Sequence, residues 1–166
     1  MLITQGNTAS LTVEGQSNLL PYLTSEVDDG ILRLNFEKCL NSGQPLNAYV
    51  ELPELRAVSL AGLGNIVFEN DVTSERLEAS IVGAGNINLR GVADTLEIVI
   101  IGQGNANAFD MISDLCEVEI NGQGNVEVTV NNTLDVIITG QGNVFYRGMP
   151  DISSEINGSG QIVDAN

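Results

Sequence analysis

Residues 118–128 read Val-Glu-Ile-Asn-Gly-Gln-Gly-Asn-Val-Glu-Val, and apolar alternation around Gly-x-Gly-Asn in this stretch decides the fold. The motif occurs five times, and a sixth copy at 158–161 ends in Gln161. Successive first glycines are 21, 19, 20, 18 and 18 residues apart. A repeat of this length predicts one structural unit per period, stacked on its neighbours. The motif residues are Gly62 with Asn65, Gly83 with Asn86, Gly102 with Asn105, Gly122 with Asn125, and Gly140 with Asn143.

Apolar residues alternate on both sides of each motif, which is typical of strands with one buried face. Nothing in the chain reads as a helix of useful length. Short strands cannot bury their faces alone, whereas stacked coils can. The sequence therefore predicts an all-β, parallel β-solenoid with coils of about 20 residues, and the usual chirality of parallel connections predicts right-handed coiling. The column two residues before each first glycine comprises Leu60, Ile81, Ile100, Ile120, Ile138 and Ile156.

The corner motif has a chemistry that suits a sharp bend. Glycine accepts positive φ and close backbone approach, and asparagine tolerates the left-handed region better than most residues. Asparagines stacked in register would also be able to hydrogen-bond to one another as a ladder. We therefore interpret the repeated glycines and asparagines as structural residues.

The first third of the chain is less regular than the rest. Strands are predicted at 2–4, 10–13, 31–36 and 48–52, with turns at 5–7, 15–18, 28–30 and 41–43. No linker separates these segments from the repeats. We interpret residues 1–166 as a single domain, in which 1–55 form irregular N-terminal coils and 56–166 form the regular repeats.

Composition excludes several classes of function. The chain has 22 acidic and 6 basic side chains, a net charge of −16, so nucleic acid and anionic membranes would be repelled. Histidine is absent, which removes Ser–His–Asp and Cys–His mechanisms and the usual zinc sites. No apolar run is long enough for a transmembrane helix, and no signal peptide is visible. Because the chain opens directly on a strand and a turn, we expect that the natural N-terminus has been trimmed.

Two sets of outward-facing residues are candidates for a binding site. Five residues before the first glycine, acidic residues recur in four coils, and stacking would place these carboxylates about 5 Å apart. They form either a weak calcium-binding stripe or a solvated face. We favour the solvated face, because no compact loop gathers the six or more oxygens that calcium prefers. Outward apolar residues indicate a homo-oligomer interface. The alternatives are that the N-terminal segment covers these residues, or that the corner turns them inward. The acidic column is Glu78, Glu97, Glu117 and Asp135, and the interface candidates are Val99, Ile101 and Ile137.

The cysteines show no metal-binding spacing. Cys39 and Cys116 lie 77 residues apart, and Cys116 occupies a column that other repeats fill with leucine. We therefore expect Cys116 to be a small core residue. A disulfide between the two is the minor alternative, because the sequence does not show that they are close.

The sequence resembles the bacterial GIN domain, a family described as the head of auto-transporter adhesins. The resemblance rests on residues 2–20 (LITQGNTASLTVEGQSNLL), residues 26–32 (EVDDGIL) and the Gly-x-Gly-Asn repeats, and it extends over essentially the whole chain. It implies a secreted or envelope-attached β-helix, and its members usually carry an export or lipoprotein signal. It supplies no catalytic motif that transfers to this sequence.

These observations lead to three functional hypotheses. The first is a non-catalytic adhesion module outside the cell or in the envelope, which binds a glycan or a protein and needs no cofactor. The second is a structural module that assembles with copies of itself. The third is a carbohydrate-active enzyme, since many β-helices act on polysaccharides, although no carboxylate pair beside a base stands out.

Overall fold

The computed structural model describes residues 1–36 and 46–166, with the side chain of Phe36 excluded. It contains fourteen strands and one short 3-10 turn, Leu20–Tyr22. Cys39 and the turn predicted at 41–43 lie outside the described residues. The strands are β1 (Leu2–Gln5), β2 (Ser10–Glu14), β3 (Leu23–Asp28), β4 (Ile31–Phe36), β5 (Asn47–Leu52), β6 (Ala57–Gly62), β7 (Asn65–Phe68), β8 (Val72–Gly83), β9 (Asn86–Gly102), β10 (Asn105–Gly122), β11 (Asn125–Gly140), β12 (Asn143–Arg147), β13 (Asp151–Gly158) and β14 (Gln161–Asp164).

The predicted solenoid is confirmed. Strands β6 to β14 pair only in parallel, and each coil of about 19 residues lies on the next in a stack of about six turns. The register aligns the motifs, so that Gly83, Gly102, Gly122 and Gly140 are partners across four strands. Equivalent residues of successive coils therefore form columns along the stack, about 4.8 Å apart.

The interior of the stack consists of the apolar columns. Leu77, Leu96 and Leu134 are fully buried, as are Ile100, Ile120 and Ile138 two residues before their glycines. Burying a side chain of this size contributes roughly 1.5–3 kcal/mol to stability. Among the described residues, Ser113 is the one buried polar side chain. The coils therefore share one continuous core that leaves no room for a polar site.

The inward pattern does not hold in the last coil. Ile152 and Ile156 continue the columns of Leu134 and Ile138, yet they are 42% and 40% exposed. The reason is that β13 pairs with β11 on one side only, so nothing in the described chain covers its other side.

The corner glycines are required by backbone contact. Gly102 has φ +126°, and a Cβ added there would meet the carbonyl oxygen of Gly83 at 2.3 Å. Gly104 is the second glycine of the same corner, and a Cβ added there would lie 2.6 Å from the carbonyl oxygen of Gly85. Any side chain at either position would push adjacent coils apart, because the obstruction is backbone.

The corner asparagines form the ladder of side-chain amides. The Nδ2 atom of Asn105 donates to Oδ1 of Asn86 at 3.0 Å, and Oδ1 of Asn105 accepts from both the backbone N and Nδ2 of Asn125 at 3.1 and 3.3 Å. The Nδ2 of Asn86 donates to Oδ1 of Asn65, and Asn143 donates from both its backbone N and its Nδ2 to Oδ1 of Asn125. The backbone N of Gln161 donates to Oδ1 of Asn143. The tolerance of asparagine for the left-handed region is not used at these corners. Among the described non-glycine residues, only Asp29 has a positive φ.

The N-terminal segment contains the predicted strands, but only some of them act as coils. Strand β1 lies between β5 and β7 and pairs with both in parallel, which extends the stack. Strand β2 is antiparallel to β5, and β3 and β4 form a separate antiparallel hairpin. The hairpin turn at Asp29-Gly30 has φ values of +48° and +76°, as a two-residue type I′ turn requires. Strands β2 to β4 therefore do not continue the parallel stack, which differs from the irregular coils predicted for residues 1–55.

Side chains attach β1 to the stack. The carbonyl oxygen of Asn70's side chain accepts from the backbone N of Gln5 at 2.9 Å, and its Nδ2 donates to the Gln5 carbonyl at 2.8 Å. The side chain of Gln5 in turn bonds to both the backbone N and the carbonyl of Thr73, at 2.7 and 3.1 Å. Two amide side chains thus replace the ladder bonds that a regular coil would supply.

We expect Asn105→Ala to lower the free energy of unfolding by about 1–3 kcal/mol. The substitution removes the acceptor for the partly buried backbone N–H of Asn125, and it removes the donor to Oδ1 of Asn86. The measurement is chemical denaturation followed by circular dichroism. The matched control is Asn121→Ala on the same strand, an exposed asparagine for which we expect a change within about 0.5 kcal/mol. Equal losses in the two variants would contradict a stabilising role for the ladder.

Candidate functional site

The acidic column lies in register on the outer face of the stack. Glu78, Glu97, Glu117 and Asp135 are consecutive partners across β8, β9, β10 and β11. Arg76 neutralises one end of this column, since its Nε lies 3.2 Å from Glu78 and its Nη2 hydrogen-bonds to Glu97. The hydrogen bond that Arg76 donates to Glu78 raises the pKa of the Arg76 guanidinium.

The geometry of the column does not gather ligands around one point. Within residues 1–36 and 46–166, no group of three or more acidic, histidine or cysteine side chains is placed to hold a metal ion. Calcium prefers six to eight oxygens in a compact shell, whereas a column presents its carboxylates one per coil. The solvated-face interpretation therefore remains the one we favour.

We expect about 1 mM calcium to leave the melting temperature of the chain unchanged, with magnesium as the control cation. Calorimetry in metal-free buffer, before and after each addition, provides the measurement. A rise of more than about 2 °C with calcium alone would show that the native chain binds the ion and would contradict the solvated-face interpretation, because a ligand that prefers the native state stabilises it.

The three interface candidates are not brought together into one patch. Val99 and Ile101 lie on β9, but Glu119 separates Val99 from Ile137 across the sheet. Ile101 is instead the direct partner of Val82, and these side chains are 47% and 48% exposed. The corner therefore does not turn them inward, and the described part of the N-terminal segment does not cover them.

Cys116 is fully buried and unpaired in the described structure. Burial raises the pKa of its thiol, so the reactive thiolate is suppressed. The thiol is therefore a core side chain and not a candidate nucleophile.

A polar groove that the sequence analysis did not single out lies on the face that follows the Asn corners. Its floor is a column of outward side chains, Asn88, Asn107 and Glu127, which are partners across β9, β10 and β11. The Nδ2 of Asn107 donates to Oδ1 of Asn88 at 2.6 Å. Its wall is formed by Arg90, Phe109 and Arg147, and the open depression has a volume of about 670 Å³. We call these six residues the polar groove.

A bulge in β10 shapes the wall of the groove. The pairing register shifts between Asn107 and Asp110 on the β9 side and between Ala108 and Ile112 on the β11 side. The hydroxyl of Thr129 donates to the carbonyl of Phe109 at 2.8 Å, which anchors the bulge to the next coil. Bulges of this kind commonly redirect side chains next to functional sites.

The two arginines of the wall have different local partners. The Nε of Arg90 lies 2.8 Å from Oδ1 of Asp71, and the guanidinium carbon of Arg147 lies 4.0 Å from the centre of the Phe109 ring. Arg147 also donates from Nε to the carbonyl of Ala165 at 3.4 Å. In the part of the chain that the structure describes, these contacts involve only the Nε atoms, which leaves the terminal nitrogens of both lining arginines as available donors.

Two signals in the sequence point to this groove. Arg90, Phe109 and Arg147 each stand four residues after a corner Asn, and Asn88, Asn107 and Glu127 each stand two residues after one. The outward positions two and four residues after the corner asparagines therefore contain all six groove residues. The spacing alone does not predict the bulge. Repeats of 18 to 21 residues all keep their corners in register, so the length of a repeat does not show where an extra residue is accommodated.

The stacked parallel coils and the apolar interior define a β-solenoid whose chemistry lies on its outer faces. A family model described as "Putative auto-transporter adhesin, head GIN domain" matches residues 1–150, and the chain belongs to this family. No curated protein matches the sequence. The part of the chain that the structure describes holds no helix with the length and apolar character to cross a bilayer.

Solved structures share the fold at low sequence identity. A "putative adhesin" from Bacteroides fragilis has 22% identity and a TM-score of 0.79, and the match covers 97% of this chain and 85% of that one. A "putative adhesin" from Parabacteroides merdae has 18% identity and a TM-score of 0.57, covering 98% and 88%. A "putative lipid binding protein" from Parabacteroides distasonis has 19% identity and a TM-score of 0.58, also covering 98% and 88%. At these identities the likeness shows the fold alone.

Proposed function

We propose that this chain is a non-catalytic binding module that acts in adhesion, outside the cell or attached to its envelope. The observation that carries the proposal is the polar groove, a set of hydrogen-bonding side chains displayed on a rigid stack of coils. Family membership agrees with this role, since the family is described as the head of auto-transporter adhesins. A rigid platform favours binding because its side chains lose little freedom when the ligand arrives.

The charge of the chain supports a ligand other than nucleic acid or an anionic membrane. The net charge of −16 repels polyanions, and the two arginines at the groove, Arg90 and Arg147, are balanced there by Asp71 and Glu127. A glycan or a protein without strong negative charge remains the class of partner that fits. No cofactor enters this proposal.

Enzymatic hydrolysis of glycans fits the groove less well than binding. A glycosidase needs a carboxylic acid kept protonated by burial beside a second carboxylate. Asp71 and Asp110 at the edge of the groove are exposed, and Glu127 on its floor is only half-buried, so none of these carboxylates is sequestered from water. We therefore rank a carbohydrate-active enzyme last.

An adhesion assay tests the proposed function. Beads coated with the purified chain are placed in a flow chamber over mucin, collagen and whole bacterial cells. We expect several-fold greater retention on at least one surface than for beads coated with serum albumin, which is also acidic. Retention equal to that of albumin beads on every surface would contradict an adhesive role.

Self-assembly is the second candidate, and the exposed pair Val82 and Ile101 favours it. Leu63 at the first corner is 83% exposed, which adds apolar surface to the same early coils. Contiguous exposed apolar side chains mark surfaces that bind other proteins. A copy of this chain is one such protein.

If this surface joins copies of the chain, we expect Ile101→Thr to shift sedimentation from an oligomer towards a monomer. Threonine keeps the preference for strands while it removes apolar area. The control is Val27→Thr, since Val27 is an exposed strand residue, 71%, on the separate β3–β4 hairpin. A wild-type chain that sediments as a monomer at high concentration would rule out this second candidate.

A further inference from the structure

We propose that the polar groove binds an extended, neutral glycan chain along the axis of the solenoid. This inference rests on the proposed binding function and names its site and ligand class. Sugars are rich in hydroxyl groups that both donate and accept hydrogen bonds, so they need a surface that offers both. The groove offers amide donors and acceptors, carboxylate acceptors and guanidinium donors within one depression.

The shape of the groove favours a polymer over a compact molecule. Asn88, Asn107 and Glu127 present polar groups at intervals of about 4.8 Å, because they belong to successive coils. A chain of sugar rings also presents hydroxyls at regular intervals, so several units would contact equivalent positions. The groove is open to solvent along its length, which suits a long ligand that enters sideways.

The wall supplies donors directed at such a chain. Arg90 on β9 and Arg147 on β12 lie on either side of the bulge at Phe109 on β10. Each keeps its terminal nitrogens unbonded among the described residues. Asp71 and Phe109 hold the two guanidinium groups in place, so their orientation is set before the ligand binds. Such preorganisation lowers the entropic cost of binding.

Electrostatics selects a neutral glycan over a charged one. The charges of Arg90 and Arg147 are matched by Asp71 and Glu127 at the same groove, and Asp110 adds a further carboxylate at its edge. The local charge is therefore close to balanced, while the rest of the chain is strongly acidic. A polyuronate would gain little from the arginines and would meet repulsion from the remaining surface.

The experiment pairs two double variants with the same change in net charge. Arg90→Ala with Arg147→Ala alters the groove, and Arg56→Ala with Arg76→Ala removes two arginines elsewhere. Titration calorimetry is performed with cellohexaose, mannohexaose and laminarihexaose as neutral probes, and with polygalacturonate as the acidic probe. Asn107→Ala serves as a second groove variant, because it leaves all the charges in place.

We expect the wild-type chain to bind at least one neutral hexasaccharide. The groove double variant should weaken that binding by at least about tenfold and Asn107→Ala severalfold, while the distant double variant leaves it unchanged. Circular dichroism and melting temperatures of each variant separate lost binding from lost folding.

Three results would overturn the inference. They are binding of none of the neutral hexasaccharides, binding of polygalacturonate alone, or equal affinities in the groove and distant variants. Each is distinguishable from failure of the proposed function, because bead retention in the flow chamber does not depend on these probes. Retention without hexasaccharide binding would keep the adhesive role and assign it to another ligand or face.

Discussion

The structure depends on one steric constraint, the contact of backbone with backbone at the corners of successive coils. The carbonyl of Gly83 occupies the space that a Cβ on Gly102 would fill, and the carbonyl of Gly102 does the same beneath Gly122. Because this contact repeats, every coil bends at the same place. The strands on both sides then remain in register, and the apolar columns and the asparagine ladder follow from that register.

The close approach at the corners also determines where function can lie. Coils that stack this tightly enclose an interior of apolar columns, in which Ser113 is the one buried polar side chain described. A ligand site inside the stack would interrupt these columns. The polar and charged side chains that could bind a ligand therefore lie on the outer faces. Each outward position recurs once per coil, at a spacing of about 4.8 Å.

The outer faces differ in what they present, although the backbone beneath them is nearly the same. One face carries the acidic column, with Arg76 bridging Glu78 and Glu97. The face after the Asn corners carries amides, two arginines and a bulge. The bulge interrupts the repetition where Phe109 and Arg147 meet, and this departure from regularity makes one stretch of an otherwise uniform face into a groove.

The architecture of this protein could be predicted from its sequence, because the motif period, the alternation of apolar residues and the requirement for glycine are visible in the order of the residues. The inward columns, the parallel pairing of the coils and the partners of the corner asparagines could all be read from spacing. The antiparallel pairing of β2 to β4 could not be predicted in this way, since short irregular strands do not specify their partners. The polar groove could not be predicted either, because Asn88, Phe109 and Arg147 come from three different coils. Their proximity depends on stacking and on a bulge whose position the repeat spacing does not encode.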